Sequence, residues 1–343
     1  WGVGVVRFEN SVCKGIDGAV GTCYTRRQCR DIGGVPSGLC AAHIGYCCVV
    51  QKNCGEVSSD NNTYFVNHNF PNTVTGPSAC AYTIQRCSPD ICQIRIDFLN
   101  LNLAQPDGNG VCNVDVLNIV GGATNVPQIC GQNSGHHVYV DFNGQQDIRM
   151  LITTGAGSTE MRTWRFKVAQ IGCDSPSRAP SGCLQYYTDA AGTVSSFNYG
   201  TTISSGLTTN AKPGTRQLAN TNYGICVAPK PGFCSITWSQ GSDPYAFSVS
   251  EETIMQPGVL GTSNTGDMKC KTDFVIIPNS MMLGSNMSSV DRYCGNALPT
   301  VTTSSKPFVL TTVTDADEMN DNGNRGFSIE YSQSRCTSTF LMF

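Results

Sequence analysis

Charge is scarce in this chain: 14% of its 343 residues are Asp, Glu, Lys or Arg, and their sum is -3. No run of basic residues is longer than Arg26-Arg27, which excludes an extended surface for nucleic acid or anionic membrane. No apolar run approaches the roughly eighteen residues that cross a bilayer, so no membrane insertion is expected; the stretch Phe340-Leu341-Met342-Phe343 is apolar but short. C-x2-C knuckles and HExxH are missing, and only four histidines are present, a poor inventory for zinc. There is neither a Gly-Asp-Ser-Gly-Gly stretch nor a G-x-S-x-G elbow, so the nucleophile of a serine hydrolase is lacking. No helical period of any length stands out.

Cysteine is abundant instead. There are 19, spread along the whole chain, and thiols at this density indicate disulfides and an oxidising compartment. The sequons at Asn61 and Asn286 fit a secreted glycoprotein. No signal-peptide pattern opens the chain at Trp1, as expected of a mature or trimmed form. The expected localisation is secreted and extracellular.

Cys13, Cys23, Cys29, Cys40, Cys47 and Cys48 crowd one short, glycine-rich segment. So small a piece buries too little apolar surface to fold unaided, and three bridges, each contributing about 3 kcal/mol, would offset the deficit. Vicinal bridging is strained, so Cys47 and Cys48 need different partners. The spacing resembles the clip domain of secreted arthropod proteins, which implies the pairs Cys13–Cys47, Cys23–Cys40 and Cys29–Cys48.

The remainder repeats itself. Cys112-x2-Asp115 recurs as Cys270-x2-Asp273, Cys130-Gly131 as Cys294-Gly295, and Arg162-Thr-Trp164-Arg-Phe166 as Arg325-Gly-Phe327-Ser-Ile329, in the same order. Both copies alternate apolar and polar residues, as in "CQIRIDFLNL", where Ile94, Ile96 and Phe98 share one face. Many short strands with frequent turn residues predict an all-β sandwich. Cys54-Gly55, Cys80-Ala-Tyr82-x-Ile84, Cys112-x2-Asp115 and Cys130-Gly131 resemble a CUB domain, a jelly-roll-like β-sandwich; the second copy carries Tyr223, Cys270-x2-Asp273-Phe274, Cys294-Gly295 and "RGFSIEY". The expected organisation is a clip-like knot at 1–50, CUB domain 1 at 54–173, a linker at 174–182, a divergent CUB domain 2 at 183–336 and a tail at 337–343. Proximity and the family pattern together imply Cys54–Cys80, Cys87–Cys92, Cys112–Cys130, Cys226–Cys234 and Cys270–Cys294. Cys173, Cys183 and Cys336 remain. A short loop favours Cys173–Cys183, leaving Cys336 free or bonded to another chain; the alternative pairs Cys336 with Cys173 or Cys183.

Chemistry has few candidates. Ala41-Ala42-His43 resembles the histidine turn of a trypsin-like protease, but without a nucleophile His43 reads as a surface-loop residue. His136-His137 directly precedes Val138-Tyr139-Val140, so the rings should diverge and serve packing or hydrogen bonding rather than a metal; His43 and His68 stand elsewhere. Gly121-Gly122 has no following helix and cradles no phosphate. Asp315 and Asp317 lie in one loop, unlike a glycosidase pair held about 5–10 Å apart across a cleft. The CUB resemblance implies calcium on loop carboxylates. In the first copy only Asp115 fits, since Ala104 and Thr153-Thr154-Gly155 occupy the other positions. The second copy offers Glu251, Asp273, Asp315 and Asp317.

No catalytic residues are expected, and the chain is not expected to be an enzyme. The resemblance implies a secreted binding or assembly protein whose partners are extracellular proteins, glycans or further copies of itself, as a homo-oligomer or larger assembly. The alternative is a non-catalytic regulator of a clip-protease cascade in haemolymph immunity or coagulation.

Overall fold

Alternating burial turns into strands almost wherever the sequence carries it. In the computed structural model, which describes residues 7–204, 211–251, 263–284, 290–318 and 321–337, Ile94, Ile96 and Phe98 point into a core from the strand Ile91–Asn102. That strand belongs to a sheet ordered Thr63–Val66, Thr163–Gly172, Ile91–Asn102, His137–Asp141. A second sheet, ordered Val57–Ser58, Ser78–Ile84, Ile148–Thr154, Asp115–Val120, supplies the facing layer. Phe65, Tyr82, Phe98, Trp164 and Phe166 are fully buried in this first sandwich. The Trp164 indole donates to the Tyr82 hydroxyl at 2.7 Å, so burial strands neither polar atom.

The second sandwich sets Cys183–Tyr187, Asn222–Val227, Phe308–Val313 and Phe274–Met282 in one layer. The other layer holds Val301–Thr303, Phe233–Gln240, Gly326–Arg335 and Ala191–Ser195. Phe274–Met282 shifts register between Ile276 and Ser280 and so pairs with both layers. Trp238, Phe247, Phe308 and Phe327 fill the core.

Register establishes the internal repeat. Trp164 pairs with Leu101 in the first sandwich, and Phe327 with Phe247 in the second. Leu103 donates its amide to Gly131, and Val249 to Gly295. Asp115 lies opposite Thr154; Asp273 stands one residue before Phe274, which lies opposite Val313. Asp115 and Asp273 therefore occupy equivalent positions, as do Arg162 and Arg325.

The knot departs from expectation in one respect: residues Arg26–Asp31 form a helix. Its signal was present as Thr25-x-x-Gln28, which closes as a capping box, each side chain bonding the other's backbone amide. The knot's strand Gly45–Lys52 pairs in parallel with Thr63–Val66, so its small sheet continues into the first sandwich.

Nine disulfides form. Cys13–Cys47, Cys23–Cys40, Cys29–Cys48, Cys54–Cys80, Cys112–Cys130 and Cys270–Cys294 join the residues that the spacing and resemblance implied. The rest correct the expectation. Cys92 bonds Cys173, not Cys87, because Gly172 pairs with Ile91 and the Cys173 amide donates to Asp90, bringing the two Cα atoms to 4.8 Å. Cys183 bonds Cys226, not Cys173, across the parallel pair Cys183–Tyr187 and Asn222–Val227. Cys234 bonds Cys336, not Cys226, because Phe233 pairs with Arg335 and the Cys336 amide donates to Gly232. Cys336 is thus neither free nor interchain, and Cys87, exposed in a turn, is the free thiol. All three corrections share a cause: the wrong partners were near in sequence, whereas sheet pairing brings distant strand ends together.

The expected Cys173–Cys183 clamp is replaced by a hydrogen-bonded joint between the sandwiches. The buried Gln93 side chain accepts from the Ala179 amide at 2.8 Å and donates to its carbonyl at 3.1 Å, pinning the connecting segment. Asn198, with no exposure, donates its amide to Asn133 Oδ1 at 2.7 Å and its Nδ2 to Gln105 Oε1 at 2.9 Å, and accepts from the Gln132 amide at 2.9 Å. Gly131 must lack a side chain here, since a Cβ would lie 2.0 Å from Asn198 Oδ1. Phe197 packs between Phe98, His136 and Tyr223, and the apolar cores of the two sandwiches are continuous.

Candidate functional site

The equivalent aspartates have opposite surroundings. In the first sandwich Asp115 is buried and meets the Arg162 guanidinium in a bidentate pair, Nε to Oδ2 at 2.7 Å and Nη2 to Oδ1 at 2.8 Å. The amides of Ala104 and Gly155 donate to the same carboxylate at 2.7 and 3.1 Å. Every lone-pair direction of the acid has a donor, and its charge is neutralised from within the chain.

In the second sandwich Asp273 keeps the corresponding backbone contact: the Asp315 amide donates to Oδ1 at 2.8 Å, as Gly155 does to Asp115. Gln217 Nε2 donates to Oδ2 at 3.1 Å. The arginine, however, has turned away. Arg325 directs Nη1 to Asp243 at 3.5 Å and stacks over Tyr245. Glu318 and Asp321 stand in its place, and with Asp273 they bring one carboxylate oxygen each to within 4.8 Å of one another. Glu318 is 1% exposed, and among the described residues no amide, hydroxyl or cation donates to either of its oxygens; its polar neighbour is the Asp273 carboxyl. Burial first, and then the adjoining carboxylates, pushes Glu318 and Asp273 well above the usual carboxylate range; burial raises Asp321 to about 6. Three acids with too few donors offer clustered carboxylate oxygens, the ligand type that hard cations take.

The residues expected from sequence are divided by the fold. Asp273 is at the centre of the cluster. Asp315 adjoins it through its backbone, while its carboxylate accepts from the Asp317 amide at 2.8 Å. Asp317 is exposed. Among the described residues, Glu251 reaches the site by donating its backbone amide to Asp321, and its side chain accepts from Asn264. The cluster draws on Glu318 and Asp321, which the same acidic run "TDADEMND" contained but whose direction only the loop's path decides.

His43 is exposed at the tip of the hairpin between Val35–Cys40 and Gly45–Lys52, in a left-handed turn with Ala41 and Ala42. His68 is exposed. His136 and His137 meet the second sandwich: His136 Nδ1 accepts from Gln185 Nε2 at 3.3 Å, and His137 Nε2 lies 3.0 Å from both the amide nitrogen and the carbonyl oxygen of Tyr186. Burial pushes both imidazoles down to about 4, with the Arg95 guanidinium adding to the effect on His137. Neutral rings hydrogen-bonded to the second sandwich are therefore part of the joint. Asn61 Oδ1 accepts from the Gln170 and Asn62 amides; Asn286 and the tail beyond residue 337 lie outside the described residues.

Two family models match the chain, the CUB domain over residues 54–167 and the animal CUB domain over residues 180–334. No curated protein matches. Among solved structures the chain is similar to the CUB1-EGF-CUB2 domains of rat MASP-1, at 13% identity and TM-score 0.27, covering 83% of this chain and 99% of that one. It is likewise similar to the CUB1-EGF-CUB2 domain of human MASP-1/3, at 12% identity and TM-score 0.27, covering 79% and 98%. The CUB2 domain of MASP-1 bound to Ca2+ matches at 20% identity and TM-score 0.29, covering 34% of this chain and 98% of that one. The assignment rests on the two family models together with the β-sandwich architecture: the protein carries two CUB domains behind a disulfide-rich N-terminal segment.

Proposed function

We propose that this is a secreted, non-catalytic binding or assembly protein whose CUB domains hold extracellular proteins or glycans, and whose second CUB domain binds one calcium ion. The knot at 1–50 serves as an appended module, and the domains at 54–173 and 183–336 carry the binding surfaces. The observation behind the calcium reading is the buried, donor-less carboxylate of Glu318 against Asp273 and Asp321. Left ionised together, these groups repel one another in a poorly solvated place. Calcium, when bound, supplies there the positive charge that Arg162 supplies to Asp115 in the first domain. Asp273, Glu318 and Asp321 would hold it, and the Asp315 amide and Gln217 orient Asp273 for the purpose.

Calorimetric titration of the metal-free full chain with calcium tests the site: one ion per chain, lost in Glu318→Gln, is expected, and no heat of binding overturns it. Purification from the native source tests the wider reading. Recovery in a stable complex or an insoluble matrix supports binding and assembly. A co-purifying serine protease instead favours the cascade regulator, which rests on the cysteine spacing of the knot.

A further inference from the structure

The segment 213–220 of the second domain lies between the first domain and the acidic loop, bonded to both. Toward the first domain, the Thr215 amide donates to the Gly108 carbonyl at 3.3 Å and the Ala219 amide to the Gly110 carbonyl at 3.0 Å. The approach is close: Gly110 has φ +76, and a Cβ there would lie 2.5 Å from the Gln217 carbonyl oxygen. Toward the acidic loop, the Arg216 amide donates to Asn324 at 2.7 Å, the Asn220 amide to Asp315 at 2.7 Å, and the Gly323 amide to the Pro213 carbonyl at 3.1 Å. Gln217 sits in the middle, 3% exposed, its Nε2 shared between Asp273 Oδ2 at 3.1 Å and the Val249 carbonyl at 2.9 Å. One short segment thus holds the central aspartate of the cation site and forms backbone bonds across the joint.

We infer that Gln217 and its segment couple the cation site to the joint, so that calcium binding in the second domain tightens its docking on the first. The inference rests on the calcium reading above. A cation held by Asp273, Glu318 and Asp321 ties the acidic loop to Asp273, and the loop's bonds to Asn220, Arg216 and Pro213 pass that restraint to Thr215 and Ala219, whose amides reach Gly108 and Gly110. By reciprocity, docking of the domains must strengthen calcium binding by the same factor.

Hydrogen exchange of the full chain, read by mass spectrometry with calcium alone as the added ligand, tests this. Calcium is expected to slow exchange about tenfold in the peptides covering 213–220 and 105–112, the latter lying wholly in the first domain. Gln217→Ala cuts the link between Asp273 and the segment, so at calcium concentrations that saturate it by calorimetry the variant should still lack the slowing at 105–112. Asn133→Ala, which weakens the joint from the first domain without touching the site, should reduce calcium affinity several-fold. Calcium binding to the native chain with unchanged exchange at 105–112 overturns this inference and leaves the calcium reading standing. No calcium binding at all overturns both.

Discussion

Two copies of one sandwich have met the same electrostatic demand in different ways. At the start of one strand each buries an aspartate, Asp115 or Asp273, and an arginine stands at the same register, Arg162 or Arg325. In the first domain the short connection 156–161 lets Arg162 fold back onto Asp115. In the second the longer connection 316–324 brings Glu318 to the site, and Arg325 pairs with Asp243 beneath Tyr245. A built-in cation makes the first domain independent of its medium. In the second, Arg325 is turned away from Asp273, and the proposed calcium would supply the positive charge there.

The strongest way to break this comparison is to remove the internal cation. Arg162→Met leaves Asp115 buried without its partner and should cost about 3–5 kcal/mol in chemical unfolding of the first domain. The calcium response of the second domain should persist; its loss would show that the two sites are not independent in this sense.

Acid should act next most strongly, through the histidines of the joint. His136 and His137 titrate near 6.5 in an unfolded chain but near 4 in the folded one. The unfolded chain therefore binds more protons between those values, so their contribution is complete above about pH 6.5 and is lost as pH falls toward 4. Arg95 and Asp97 face His137 with opposite effects, and Tyr139, Tyr186 and Tyr187 pack around it. The loss for His137 should reach about 3 kcal/mol, seen as faster amide exchange at 183–187 before the sandwich cores open. Unchanged exchange there at pH 4.5 would place the rings outside the joint's energetics.

Calcium removal should separate the two domains directly. At an ion concentration a hundred times its dissociation constant, binding contributes about 2.7 kcal/mol, and EDTA should withdraw that from the second core while leaving the Asp115 site as it was. Glu318→Gln sharpens the point: the variant should be equally stable with and without calcium, because a ligand of the ion is gone. Smallest of all, Cys87→Ser should change stability by less than about 0.5 kcal/mol. It should also abolish labelling of the native chain by a thiol reagent, because every other cysteine is bridged.

Much of this was legible beforehand, for reasons that can be traced to particular residues. Period-two alternation placed Ile94, Ile96 and Phe98 on one face, since burial on one side of a strand is a local matter. The recurrence of Cys-x2-Asp and Cys-Gly identified Asp115 and Asp273 as counterparts, because both motifs sit within single strands or turns. Bridges inside the knot and at Cys54, Cys112 and Cys270 likewise join residues close in sequence. Cys92, Cys183 and Cys234 were misassigned because their partners arrive from strands far along the chain, with separations of 81, 43 and 102 residues. The histidine pair was seen as a feature of one strand, but its hydrogen-bonding partners, Gln185 and Tyr186, belong to the other domain.

The sequence by itself determined the oxidised, all-β, twice-repeated character of the protein, since alternation, turn residues and cysteine spacing act over a few residues at a time. Only the tertiary structure decided which distant cysteines meet, that Arg162 folds onto its aspartate while Arg325 does not, and that one loop serves both an acidic site and a joint. Those outcomes depend on where loops of different length deliver their side chains across a sandwich. That delivery is fixed by packing between segments remote in sequence, and no local pattern carries it.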